Sequence, residues 1–238
     1  MHKRKHNYLI SLATYNEREN LPTLTEQIAA VMPYADILIV DDASPDGTAD
    51  WVEEQMQYDD RFKLIKRSGK LGLGTAILAT MDYAIQHDYD FIINMDADLS
   101  HPPRFLPAIK SKADEGFDVV IGSRYVPGGR IEGWPLSRHL MSRCINIYAR
   151  WLLGLKTRDN SGSFRCYRVA LLKRLEPQSI LSRGYSFFEE ILYRLRQLGG
   201  TFAEVPITFE ERRIGQSKLN VKEIFIALWL ILRIGLWR

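Results

Sequence analysis

What most constrains this 238-residue chain is an alternation of short and long segments through its first half. Short runs of β-branched and aliphatic residues trade places with longer amphipathic stretches. Residues 8–14, 37–40, 62–66, 91–95 and 119–123 have the composition of strands, and 21–31, 48–57, 74–87 and 104–115 have the apolar spacing of helices. The run Ile37, Leu38, Ile39, Val40 is apolar without a break, as in a strand covered on both faces. Such an alternation predicts an α/β fold with a mostly parallel sheet flanked by helices. The first helix has Pro22 in its opening turn, and Asn20 is its expected cap.

The second half is less regular. Residues 128–135 form a glycine-rich loop ending in Trp134-Pro135. Helices are expected over 137–153, 187–198 and 221–237, and a strand over 202–207. No internal repeat, low-complexity tract or linker divides the chain. One domain over 1–220, followed by a helical appendage over 221–238, is the expected organisation.

Parallel sheets bind ligands beyond the carboxyl ends of their strands. Four polar clusters follow those ends here: TYNE, DDASPDGT, DADLS and GSRY. Asp96 and Asp98 are two carboxylates one residue apart at the end of an apolar strand. They suit a shared hard divalent cation, Mg²⁺ or Mn²⁺, which completes its shell with phosphate oxygens. Such a cation neutralises a diphosphate and helps it leave. Asp42 either caps a turn or hydrogen-bonds a base or ribose, while Ser44, Pro45, Asp46 and Gly47 carry turn and cap chemistry. The glycine loop from Lys70 to Gly74 enters a helix and can bring backbone N–H groups close to a ligand, without matching a Walker or dinucleotide spacing. Arg124 follows the fifth strand, and Arg212, Arg213 and Lys218 lie in the polar stretch ERRIGQSK. Their guanidinium groups match phosphate geometry, in a segment that either stays solvated or closes over phosphates.

Several classes are excluded or disfavoured. A net charge of +3, with its cations spread along the chain, does not fit a general nucleic-acid binder. Cys144 and Cys166 have neither metal spacing nor a disulfide framework, and fit small buried hydrophobes in a reducing, cytoplasmic compartment. None of the five histidines has a zinc-type partner; His101, beside DADLS, is expected to pack rather than catalyse. Without a nucleophile elbow or a Cys-His pattern, a hydrolase would lack its central residue. No stretch reaches the roughly 18 apolar residues of a spanning helix. The nearest, IFIALWLIL, belongs to a terminal segment with Trp229, Trp237, Lys222, Arg233 and Arg238. That profile favours an anchor in the membrane interface over a simply docked helix.

The segments ATYNERENL, VDDASPDGT, MDADLSHPP, IGSRYVPGG, EGWPLSR, DNSGSFRCYR, GYSFFEEILYRL and EVPITFEERRIGQSKL occur in that order. Together they resemble the family 2 glycosyltransferases of the dolichol-phosphate mannose synthase type, over about residues 9–219. The resemblance implies a GT-A fold and an inverting transfer of mannose from GDP-mannose to a polyprenyl phosphate, with Mg²⁺ or Mn²⁺ as cofactor. It implies that Ala13, Tyr15, Glu17, Val40 and Asp42 hold the nucleoside. Asp96 and Asp98 would bind metal and diphosphate, with Ala97 between them and Ser100 as a further metal ligand. Arg124 and Arg212 would contact donor phosphates with Lys218 close by, and Arg138 and Ser142 would grip the acceptor phosphate. Asp96, Asp98 and Arg124 would carry the catalysis.

The chain departs from that pattern in places. Ser100 stands where many relatives have Gln, Ala13 where Pro is common, and Phe188 where Gln is frequent. Some relatives add transmembrane helices. With one short terminal helix, this chain would meet the cytoplasmic face of a membrane peripherally or rely on a partner subunit. A UDP-glucose or other UDP-hexose donor, and a non-catalytic nucleotide-sugar-binding subunit, stay open as alternatives.

Overall fold

The structure, a computed structural model, describes residues 7–176, 180–182, 184, 186–211 and 221–236, the last helix with side chains from Ile226 onward. The strands are β1 (Tyr8–Thr14), β2 (Asp36–Asp41), β3 (Phe62–Lys66), β4 (Phe91–Asp96), β5 (Val119–Ser123), β6 (Arg130–Ile131), β7 (Arg165–Arg168), β8 (Phe202–Pro206) and β9 (Thr208–Phe209). The helices are α1 (Leu21–Val31), α2 (Thr48–Gln55), α3 (Leu73–Gln86), α4 (Leu106–Asp114), α5 (Leu136–Leu153), α6 (Val169–Leu172), α7 (Phe187–Gln197) and α8 (Val221–Leu236).

Seven strands form one sheet in the order β3-β2-β1-β4-β7-β5-β8. All neighbours pair in parallel except β7, which runs antiparallel to both β4 and β5. Successive strand residues face opposite sides of a sheet, and this one buries both. Leu9, Leu38 and Val40 join the core under α3, α5 and α7. Their neighbours Ile10, Ile37 and Ile39 join the core under α1 and α4. The uninterrupted apolar run Ile37–Val40 in β2, and the mostly apolar β1 and β4, follow from that two-sided burial.

The sequence reading of β1 to β5 and of their intervening helices holds to within a few residues. Three local expectations change. β7 was not foreseen: its four residues, Arg-Cys-Tyr-Arg, carry no strand-like apolar run. The strand expected over 202–207 is β8, and past its end an unforeseen β9 pairs with β6 in a separate two-stranded ribbon. Asn20 makes no side-chain cap bond to α1; its amide Nδ2 donates to Glu17 Oε2 at 2.7 Å.

The position of β7 matters for function. Arg165 opens it opposite Asn94 of β4 and Ile121 of β5. The segment before it, residues 159–164, is thereby brought to the carboxyl edge of the parallel strands. On the other side, α8 packs against α5, burying Ile231 and Ile234 while Tyr148 OH donates to the Leu228 carbonyl at 3.2 Å. No described helix is long and apolar enough to cross a membrane.

Candidate active site

Two adjoining cavities open along the carboxyl edge of the sheet. The first to consider is lined by Ala13, Tyr15, Glu17, Asp42, Lys70, Gly72, Asp96, Ala97 and Asp98 among others, with a volume of about 390 Å³. Its polar groups come from the ends of β1, β2, β3 and β4 and the loops that follow them. The aspartates of the DDASPDGT turn play different parts. Asp41 is buried and accepts from Thr14 Oγ1, Ser44 N and Ser44 Oγ, which fixes the loop. Asp46 accepts from Thr48 N and Oγ1, the turn chemistry expected of it, while the cap residue of α2 is Gly47, with no side-chain cap bond. Asp42 alone of the three lines the cavity, with Arg67 Nε 3.0 Å from its Oδ1. Burial pushes the Asp42 carboxyl up, and the Arg67 guanidinium works against that. Opposite, the Lys70 ammonium sits 3.3 Å from the centre of the Tyr15 ring, a cation–π contact that ties the glycine loop to the β1 loop. Gly72 has φ of +97°, a left-handed backbone that glycine adopts without strain. Val40 does not reach this space; it is fully buried in β2 and belongs to the core.

The DADLS turn closes on itself. Asp98 Oδ1 accepts both the Ser100 N–H at 3.0 Å and the Ser100 hydroxyl at 2.5 Å. Leu99, between them, stands at a φ of +64°. Ser100 is fully buried, and its hydroxyl proton is donated to Asp98, which orients that carboxylate. Asp96 is held differently: its Oδ1 accepts from Ser163 Oγ at 2.7 Å, and its own N–H donates to His101 Nδ1 at 3.1 Å. His101 stacks on Phe164 and meets the edge of Phe209, as its expected packing role requires. Burial pushes its imidazole down despite Asp96 and Asp98 nearby, so it stays neutral.

No three His, Cys, Asp or Glu side chains converge on one point among the described residues. Asp96 and Asp98 nevertheless supply two hard oxygen donors at the wall of an open cavity. That donor set fits Mg²⁺ or Mn²⁺ bound by few protein carboxylates and completed by substrate phosphates and water.

The second cavity, of about 170 Å³, shares Asp96 and Leu73 with the first and continues beneath α5. Arg124, Arg138, Ser142, Ser161, Ser163 and Glu189 supply its polar wall; Trp134, Phe188 and Phe209 are among its apolar residues. The Arg138 guanidinium lies 4.0 Å from the centre of the Trp134 ring. Ser142 and Tyr125 share a hydrogen bond of 2.7 Å between their hydroxyls. Arg124 is locked by Asp159, which is fully buried. Nε and Nη2 of Arg124 each lie 2.7 Å from a carboxylate oxygen of Asp159, and its backbone N–H adds a third bond at 3.0 Å. Burial acts to raise the Asp159 carboxyl, but the adjacent guanidinium outweighs it and holds it below the usual range. Gly162 lies against this pair and donates its N–H to Asp159 Oδ1; a Cβ there would stand 3.2 Å from that oxygen.

Of the residues anticipated from sequence, Ala13, Tyr15, Glu17, Asp42, Ala97 and Asp98 therefore gather on one cavity, Arg124, Arg138 and Ser142 on the other, and Asp96 on both. Arg212 and Lys218 lie outside the described residues. Sequence reasoning missed Asp159, Ser161, Ser163 and Glu189. The polar run Asp-Asn-Ser-Gly-Ser at 159–163 was a signal for the first three, since so polar a segment beside an aromatic and a strand needs partners. Glu189 sits in an amphipathic helix, and nothing local marks it as inward-facing.

Residues 10–176 match the family model described as "Glycosyl transferase family 2". A polyprenol monophosphomannose synthase of Mycolicibacterium smegmatis is 39% identical over 229 residues, covering 96% of this chain and 86% of that one. An undecaprenyl-phosphate mannosyltransferase of Micrococcus luteus is 40% identical over 228 residues, covering 96% of this chain and 93% of its own. Among solved structures, glucosyl-3-phosphoglycerate synthase from Mycobacterium tuberculosis, in complex with Mn²⁺, UDP and glucosyl-3-phosphoglycerate, superposes with a TM-score of 0.66. That match covers 98% of this chain and 79% of the other at 17% identity, a likeness of fold.

Proposed function

This chain belongs to the family 2 glycosyltransferases and has their GT-A fold, and from that premise we propose that it moves mannose from GDP-mannose to the phosphate of a polyprenyl lipid, with inversion at the anomeric carbon. The observation that carries this reading is the junction of two cavities at Asp96, one suited to a nucleoside diphosphate and the other to an anionic acceptor. Two mannosyltransferase relatives at about 40% identity over nearly the whole chain support the sugar and the lipid.

Asp42, Tyr15 and Glu17 would hold the nucleoside. Asp96 and Asp98 would hold a divalent cation, Mg²⁺ or Mn²⁺, which when bound neutralises the diphosphate and makes it a better leaving group. Arg138 and Ser142, across the junction, would orient the acceptor phosphate. A phosphate oxygen is already anionic at neutral pH, so its attack needs no strong general base. Catalysis then rests on alignment and on fixed charge. Arg124, immobilised by Asp159, would face the departing diphosphate without reorganising.

The surface beside the acceptor cavity supports a lipid substrate. One face of α5 contributes Arg138, Met141, Ser142 and Ile145 to the cavity. Another exposes Leu136, Leu140, Ile147 and Trp151 at helical spacing, with Leu136 84% and Trp151 81% exposed. Trp229, Ile226 and Leu236 of α8 are exposed as well, and Arg233 lies 5.5 Å from the Trp229 ring. Aromatics, aliphatics and cations in this combination suit the headgroup layer of a membrane. Flotation with anionic vesicles tests this part: wild type should float and the double variant Leu140→Ser/Trp151→Ser should not. Equal flotation of both would count against it. The transfer reaction itself is tested by the appearance of labelled mannose in an organic-extractable lipid.

A further inference from the structure

Among the described residues, the cavity that links Asp96 to Arg138 has buried polar atoms without a hydrogen-bond partner in the Trp134 indole N–H and the Glu189 carboxyl, and of these only Glu189 offers an oxygen. On the reading above, the anomeric carbon must lie between the diphosphate at Asp96 and Asp98 and the attacking phosphate at Arg138 and Ser142. The sugar therefore occupies this cavity. Most of its polar wall is already committed. The Ser163 hydroxyl is donated to Asp96. Ser161 Oγ accepts from Arg124 and from Asn146. Ser142 Oγ is bonded to Tyr125 OH. Glu189 is different: it lines the cavity, is 2% exposed, and its Oε2 is buried without a hydrogen-bond partner among the described residues.

We propose that Glu189 is a sugar-binding residue, whose carboxyl group hydrogen-bonds one hydroxyl of the transferred hexose and so sets which hexose is accepted. This rests on the assignment of the cavity to a nucleotide-sugar donor. A buried carboxylate oxygen without a partner is costly, and a hydroxyl-bearing ligand supplies what is missing. The two residues side by side on α7 divide the wall between them. Phe188 offers an apolar ring that packs 4.9 Å from the Arg165 guanidinium, and Glu189 offers the polar contact. Burial pushes the Glu189 carboxyl up to about 7, so near neutrality it can either donate to or accept from a sugar hydroxyl. Its neighbour Glu190 is purely structural, since its carboxylate accepts the Leu181 and Ser182 N–H groups and meets Arg194.

The test compares wild type, Glu189→Gln and Glu189→Leu on GDP-mannose and on its singly deoxygenated 2-, 3-, 4- and 6-deoxy analogues. Wild type should lose about ten- to hundredfold in kcat/KM on one analogue. Glu189→Leu should be weak on GDP-mannose yet treat that analogue and the parent alike, and Glu189→Gln should recover part of the discrimination. GDP affinity should not change in either variant. An equal loss by Glu189→Leu on every donor, with discrimination retained, would mean a structural role and overturn the proposal. If wild type fails on GDP-mannose but turns over UDP-glucose, the donor reading fails alone, and the same panel is run in the UDP-glucose series. If neither donor is turned over, calorimetry decides: the sugar nucleotide must bind more tightly than its nucleoside diphosphate by an increment that Glu189→Leu removes, and an unchanged increment overturns the proposal.

Discussion

Arg124 and Asp159, 35 residues apart, form a two-pronged buried ion pair, both arms 2.7 Å long, at the wall of the cavity between the two substrates. Such a pair fixes a guanidinium with little freedom to turn away. Breaking it should harm stability as well as activity, because a buried guanidinium would be left uncompensated. Asp159→Ala should cost about 3–5 kcal/mol in urea unfolding. The Asp159 carboxyl is held low in the folded chain, so its contribution is present above the ordinary 3.8 and is lost as the pH falls below it. A variant as stable as wild type would show that the pair is dispensable.

Asp98 is locked by Ser100, so its carboxylate is presented in one orientation. Asp98→Ala should reduce transfer by about a thousandfold or more, the scale of losing a charge-neutralising cation. Mn²⁺ binding, followed by the loss of its free-ion resonance signal, should weaken in parallel. Ser100→Ala should reduce both to a smaller degree, since Asp98 keeps the Ser100 N–H. Full Mn²⁺ binding by Asp98→Ala would remove Asp98 from the metal site.

Arg138 packs on Trp134 at the acceptor side of the junction. Arg138→Ala should raise KM for the lipid phosphate by about ten- to hundredfold while leaving GDP binding as it was. Arg138→Lys should recover only part of the loss, because an ammonium lacks the planar two-pronged fit to phosphate. A variant whose defect lies in donor affinity alone would contradict the acceptor assignment.

Glu189 gives a pH signature. Its carboxyl goes from the usual 4.5 up to about 7 on burial. Between those values the folded chain keeps a proton that the unfolded chain releases, so stability falls as the pH rises through that window. Glu189→Gln should therefore gain on wild type between pH 5 and pH 8, by at most about 3 kcal/mol. Urea unfolding at both pH values checks this; the same difference at both would mean that Glu189 titrates normally.

The framework was legible because the two-sided burial of β1, β2 and β4 leaves mostly apolar runs. Asp42, Asp96 and Asp98 were legible because they end those runs. β7 was not, because its Arg165 is fully buried and donates through its two terminal nitrogens to the Phe188 and Asn160 carbonyls, partners that only the tertiary fold supplies. Asp159 and Glu189 were hidden for a related reason. What makes each one functional is a cavity assembled from distant loops, and no local spacing encodes it. Ser100, a metal ligand by resemblance, shows in the structure a second part that its sequence position does not reveal: its hydroxyl donates to Asp98.

The central claim is the transfer itself. Purified protein would be given labelled GDP-mannose, or UDP-glucose in parallel, with a polyprenyl phosphate, with and without Mn²⁺. The account predicts metal-dependent label in the organic-extractable lipid from GDP-mannose and none from UDP-glucose. Label from UDP-glucose instead would contradict the donor, and no label in lipid from either would contradict the assigned reaction.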